Sequence, residues 1–65
     1  MRMRPKGKQI TDTVSVHIGP TCSGKAYLNI YNRRICDAVV ATLDASQLRE
    51  LAAFLHAQAK AMEED

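Results

Sequence analysis

Gly19, Gly24 and Lys25 stand in the segment GPTCSGKA at the spacing G-x-x-x-x-G-K. In that pattern the backbone N–H groups of a glycine-rich loop cradle phosphates and the lysine reaches toward the terminal ones. The chemistry then requires a Ser or Thr hydroxyl for magnesium, and Ala26 occupies that position. It also requires a helix to begin at the lysine, so that the helix N-terminus faces the phosphates. After Lys25 the chain runs AYLNIY, an alternation of apolar and polar residues with two tyrosines, which is a strand pattern. A strand enters this loop and a strand leaves it. The segment therefore reads as a β-hairpin connection in which Pro20 and Gly24 supply the turn geometry.

The string resembles the phosphate loop of P-loop kinases and prenyl-transferases, and the resemblance would imply a nucleotide site at Gly19, Gly24 and Lys25. Those enzymes need a buried parallel sheet flanked by helices and a second acidic magnesium ligand. A chain of 65 residues does not hold them, and no cofactor is expected. Other reactive combinations are weaker. Cys22, Ser23 and His17 fall near one another, but no acidic residue stands where it would orient the base of a nucleophile. His17, Cys22, Cys36 and His56 lack the paired short spacings of zinc sites. No catalytic, metal or cofactor-binding residue is expected, and the chain is read as a non-enzyme.

Length and composition limit what remains. A chain of this size buries about 60% of the surface its unfolded form exposes, which leaves a single copy marginal. Its formal net charge is +2. The opening MRMRPKGK carries no apolar stretch behind its charges, so no secretory leader is expected and the cytoplasm is the expected location. Cys22 and Cys36 fall at opposite ends of one expected strand, too far apart for the Cα separation of about 5.5 Å that a disulfide needs. Both are expected to be free thiols. No apolar run approaches the roughly 20 residues of a membrane span. With neither disulfide nor metal, oligomerisation is the expected source of added stability.

The elements are read from periodicity. Residues 1–9, with Arg2, Arg4, Lys6 and Lys8, are expected to form a basic flexible arm. Residues 10–65 are expected to form a single α+β domain of βββα order: strands over about 12–18, 25–32 and 35–43, then a helix over about 45–63. Three antiparallel strands form a meander, and the helix covers one face. Val14, Val16 and Ile18 alternate with Ser15 and His17, and Ala26, Leu28 and Ile30 with Tyr27, Asn29 and Tyr31. The expected register sets Ile18 against Ala26, Val16 against Leu28 and Val14 against Ile30. For the third strand a two-residue turn at Asn32 and Arg33 would place Ile35, Val39 and Ala41 on the core side, and Asp37 with them. A one-residue shift places Cys36, Ala38 and Val40 there and exposes Asp37, and is favoured for that reason. In the helix Asp44 suits the N-cap and Gln47 completes a capping box. Leu48, Leu51, Ala52, Leu55, Ala59 and Met62 form one stripe at helical spacing. Phe54 and Ala61 lie off it.

Function is then sought on the surfaces left open. His17, Tyr27, Asn29 and Tyr31 share the sheet face away from the helix, flanked by Arg33 and Arg34, and aromatic and arginine side chains are what protein interfaces enrich. These six are the candidate partner-binding residues. Val39, Phe54 and Ala61 are the candidate dimer-interface residues. The expectation is a small protein-binding module, a homodimer, that regulates or inhibits a larger protein partner. Compact chains of this sort are what phages and mobile elements encode against host defence, anti-CRISPR proteins among them; that is an analogy of class, with no motif behind it. The alternative is a nucleic-acid-binding regulator that stacks bases on the same face and contacts phosphates through the basic arm.

Overall fold

The computed structural model describes residues 3–64. It is an α+β fold: four antiparallel strands in the order β1 (Lys6–Gln9), β2 (Val14–Pro20), β3 (Ala26–Asn32) and β4 (Asp37–Leu43), followed by the helix α1 (Ala45–Glu63). The sheet therefore has one strand more than the meander expected from the sequence. Lys6–Gln9, expected within a flexible arm, pairs with β2, setting Lys6 against Ile18, Gly7 against His17, Lys8 against Val16 and Gln9 against Ser15. The turn that allows this is built by Thr11. Its Oγ1 accepts from the backbone N–H groups of Thr13 and Val14 at 3.2 and 3.0 Å, and Gln9 Nε2 donates to its carbonyl. Short hydroxyl-to-backbone bonds of this kind fold a chain back on itself without any apolar pattern.

β2 and β3 join through Thr21–Lys25, so GPTCSGKA is a hairpin connection with strand on both sides. The register is two residues away from the one expected: Ile18 faces Leu28, Val16 faces Ile30, and Pro20 faces Ala26. The reason is a shorter loop. The Thr21 N–H and hydroxyl both donate to the Lys25 carbonyl, at 3.0 and 2.9 Å, which closes the turn after Pro20 rather than before Gly19. Gly24 takes φ 79° within it, the left-handed region that glycine enters without penalty. A slip of two residues leaves every side chain on its face, so the division into an apolar and a polar side is unchanged.

The third connection corrects the favoured register outright. It is a four-residue turn, Arg33 to Cys36, in which Asn32 Oδ1 accepts from the Arg34 N–H at 3.0 Å. Ile30 then faces Val39, Leu28 faces Ala41 and Asn32 faces Asp37. Val39 and Ala41 lie on the apolar face, while Ala38 and Val40 lie on the polar one and Cys36 belongs to the turn. Asp37 shares the apolar face without being buried, because it opens β4 at the end of the sheet and remains exposed. Cys36 has φ 53°, a conformation that costs an L-residue with a Cβ about 1–2 kcal/mol. Cys36→Gly is accordingly expected to raise stability by up to about 1 kcal/mol, after allowing for the freedom glycine adds to the unfolded chain. A shift in urea midpoint at constant slope would register it, and a lowered midpoint would contradict it.

Asp44 alone connects β4 to α1. Its carboxylate accepts from the Gln47 N–H at 2.8 Å while the Gln47 side chain accepts from the Asp44 N–H at 2.9 Å, the reciprocal box expected from their spacing. Beyond it the chain has no glycine, proline or β-branched residue until the helix ends, and such residues as Ala, Leu, Gln, Glu and Lys lose little on entering a helix. What the helix does not do is seal the sheet. No residue of α1 is buried, and among the described residues only Gly19 and Ala26 are. The expected cover over one face is an open groove.

Candidate functional site

The polar side of the sheet is laid out in three rows across the strands. One runs Gly7, His17, Asn29, Val40; a second Gln9, Ser15, Tyr31, Ala38; a third Gly19, Tyr27, Thr42. His17, Tyr27, Asn29 and Tyr31 therefore share one surface, and alternation in two adjacent strands is what puts them there. His17 is exposed and the other three are half-buried. Two of the rings, those of His17 and Tyr27, lie over glycines. A Cβ added at Gly7 would stand 2.6 Å from His17 Cδ2, and one at Gly19 would stand 2.5 Å from Tyr27 Cε2. Each ring covers backbone that its cross-strand neighbour leaves bare and is thereby held flat.

Asn29 sits between His17 and Val40 at the middle of this surface. Its Oδ1 is shielded from solvent and accepts no hydrogen bond, an arrangement that costs stability. Asn29→Val removes the unpaired acceptor and suits a strand, so it is expected to stabilise the chain by about 1 kcal/mol; a fall in melting temperature would contradict this. Arg33 and Arg34 stand exposed in the turn at one end of the face. Arg33 is partly committed, since its Nη2 donates to the Asp12 carbonyl at 2.9 Å. Lys25 lies in the turn at the other end. Lys6 and Lys8, expected in a basic arm, are paired with Ile18 and Val16 and point to the opposite side of the sheet, so the arm's lysines do not join Arg33 and Arg34 on the polar face.

On the apolar side the rows read Lys6, Ile18, Leu28, Ala41 and Lys8, Val16, Ile30, Val39. The first turns of α1 stand along part of this side. Val16, Leu28 and Ile30 from the sheet and Leu48, Leu51, Ala52 and Leu55 from the helix line a hollow of about 330 Å³ between them. A second hollow of about 250 Å³ shares Ile30 with it and is lined also by Val14, Asn32, Ile35, Asp37, Ala38 and Val39. We call the pair the trough. Of the expected dimer-interface residues, Val39 lies in this trough, whereas Phe54 and Ala61 are exposed on another side of the helix. The three are not brought together.

Comparison with protein-family models, curated proteins and solved structures finds no match. Function rests on the surfaces themselves. Among the described residues no group of three or more His, Cys, Asp or Glu side chains is placed to hold a metal ion, and no helix is long and apolar enough to cross a membrane. Both cysteines are free and exposed. Sequence periodicity locates the polar aromatic face and misses its edge strand β1, because KGKQ carries no alternation of apolar residues. The signal that is present is the Thr11-Asp12-Thr13 turn, together with Gly7 opposite a ring-bearing residue.

Proposed function

We propose that this chain is a small, non-enzymatic protein-binding module of the cytosol that works as a homodimer and regulates or inhibits a larger protein partner. The observation that carries the reading is the amount of large apolar side chain left in contact with solvent. Ile30, Ile35, Val39, Val40, Phe54, Leu55 and Met62 are all exposed in a chain whose buried described residues are a glycine and an alanine. Exposed apolar surface on this scale marks interaction sites. It occurs on both broad sides of the sheet and on the helix, enough for self-association and for a second partner. On the polar side the flattened rings of His17 and Tyr27, with Tyr31 and the half-buried Asn29, offer a firm, amphipathic surface of the type that anchors protein contacts. Arg33 and Arg34 lie at its end.

Phosphate binding has less support, since the cations are split between two faces and do not follow one stripe. A phage-type inhibitor of host defence, of the anti-CRISPR kind, is the biological class that a plain, compact binding chain of this size fits by analogy. The test is retention from a native lysate on immobilised wild-type protein, with and without nuclease, through a series of salt washes. Retention of a discrete protein through nuclease and high salt, lost with Tyr31→Ala, is expected. Capture that disappears with nuclease, or falls steeply with salt as phosphate contacts do, would replace this reading with the nucleic-acid one.

A further inference from the structure

We propose that the apolar trough of each chain is filled by α1 of a second copy. The two molecules would exchange helices about a two-fold axis, so that Leu55, Ala59 and Met62 of one cover Ile30 and Val39 of the other. This deepens the homodimer reading and rests on it, while choosing an interface neither along the free edge of β4 nor through Phe54.

Both halves of such an interface are present on a single chain. On the sheet side Ile30, Ile35 and Val39 are 43%, 66% and 70% exposed, and on the helix side Leu55 and Met62 are 56% and 76% exposed. A two-fold contact requires surfaces that are complementary within one molecule, since residue i meets residue j and j meets i. The helix is also longer than its own chain uses. Leu48, Leu51, Ala52 and Leu55 line the groove, but Ala59 and Met62, on the same stripe, line neither hollow. From Leu48 to Met62 the stripe runs about 21 Å at 1.5 Å per residue, and its second half is exposed on the single chain.

The helix leaves its own groove open, with no residue of α1 buried. A single residue, Asp44, separates β4 from α1, and the reciprocal bonds of its capping box hold that residue to the first turn of the helix. A one-residue link leaves the helix little slack to reach further across its own sheet, and a cover from outside has to be present whenever the chain is folded, because so little of the single chain is buried. A second copy meets that condition at all times, whereas a target protein meets it only when bound.

Area and charge agree with this occupant. Five large side chains, two-fifths to three-quarters exposed, make several hundred Å² per chain, the order of the roughly 800 Å² that each partner contributes to a standard interface. Lys6 and Lys8 lie on the β1 side of the apolar face, Asp37 lines the trough on the β4 side, and the helix, with Lys60 in its last turn, ends in Glu63 and Glu64. A helix laid into the trough of another copy brings an acidic end toward a basic margin, which also favours one direction of insertion over the reverse.

The test uses the full chain. In a dimer assembled from equal amounts of ¹³C-labelled and unlabelled copies, isotope-filtered nuclear Overhauser effects are expected between the methyl groups of Leu55 or Met62 and those of Ile30 or Val39 across the interface. Met62→Glu, on the unsupported half of the helix, is expected to weaken dimerisation by at least about ten-fold, equivalent to 1.4 kcal/mol, while Phe54→Glu leaves it unchanged. Intermolecular effects confined to Phe54 and Ala61, or to the β4 edge, would overturn helix exchange and leave the protein-binding reading in place. So would a dimer insensitive to Met62→Glu. Loss of partner capture in the lysate assay, by contrast, removes the protein-binding reading without touching the exchanged dimer.

Discussion

Leu55→Ala is expected to destabilise the protein by about 2–5 kcal/mol, the cost of truncating a leucine in a packed core, although the side chain is 56% exposed in a single chain. The two readings of that residue differ by several-fold in effect. For a leucine at a true surface position, away from caps and special backbone, a change within about 0.5 kcal/mol is the ordinary result. If the trough is filled by a second helix, Leu55 lies at the middle of the joint core and its loss removes contacts on both copies at once. A single core in a domain this small has about 3–5 kcal/mol to lose, so the variant is expected to be largely unfolded at low concentration and partly rescued as concentration rises, since folding and association are then one equilibrium. Chemical denaturation at two protein concentrations measures it. A near-neutral Leu55→Ala would contradict the covered trough.

Tyr31→Ala is expected to weaken capture of the partner protein by about 2 kcal/mol or more, roughly thirty-fold, which is the range of an aromatic anchor at an interface. Tyr31 is the better choice for this experiment than Tyr27. The Tyr27 ring covers Gly19, so its removal bares sheet backbone as well as contact surface. Tyr31 pairs with Ser15 and Ala38 in the outer row, and a melting curve close to wild type is expected for the variant. Affinity measured by titration with the captured protein, beside that melt, separates binding from stability. Unchanged affinity in a well-folded Tyr31→Ala would move the binding surface away from the polar face. Asn29→Val makes a further contrast, since it is expected to gain stability and, if the amide meets the partner, to lose affinity at the same time. Sites kept for binding often cost stability in this way.

The sequence reveals most where side chains alternate and least where backbone alone holds the chain. Val14, Val16 and Ile18 with Leu28 and Ile30 mark two strands and their faces, and Asp44 with Gln47 marks the start of the helix. Each rests on residue types whose physics is local. β1 is illegible because Lys6, Gly7, Lys8 and Gln9 contribute ladder bonds and no apolar face. The register favoured for the last strand fails because it treats an acidic residue among apolar ones as one that would be buried, whereas Asp37 lies at a strand end where solvent reaches it. The phosphate-loop spacing is recognisable as a hairpin from Ala26 and the tyrosines after it, yet where the hairpin closes depends on two bonds from Thr21 to one carbonyl. Alternation does not report a register change of two residues. The open groove is not legible either. Periodicity shows that a helix has an apolar stripe and a sheet an apolar face, and it is silent on whether the two belong to the same copy of the chain.

The mass of the wild-type protein in solution bears most directly on the claim that this chain is completed by a second copy. Light scattering on a column-resolved peak at micromolar concentration is expected to give twice the chain mass of 7.2 kDa, with a melting temperature that rises as concentration rises. A mass of one chain, together with a cooperative melt independent of concentration, would contradict it.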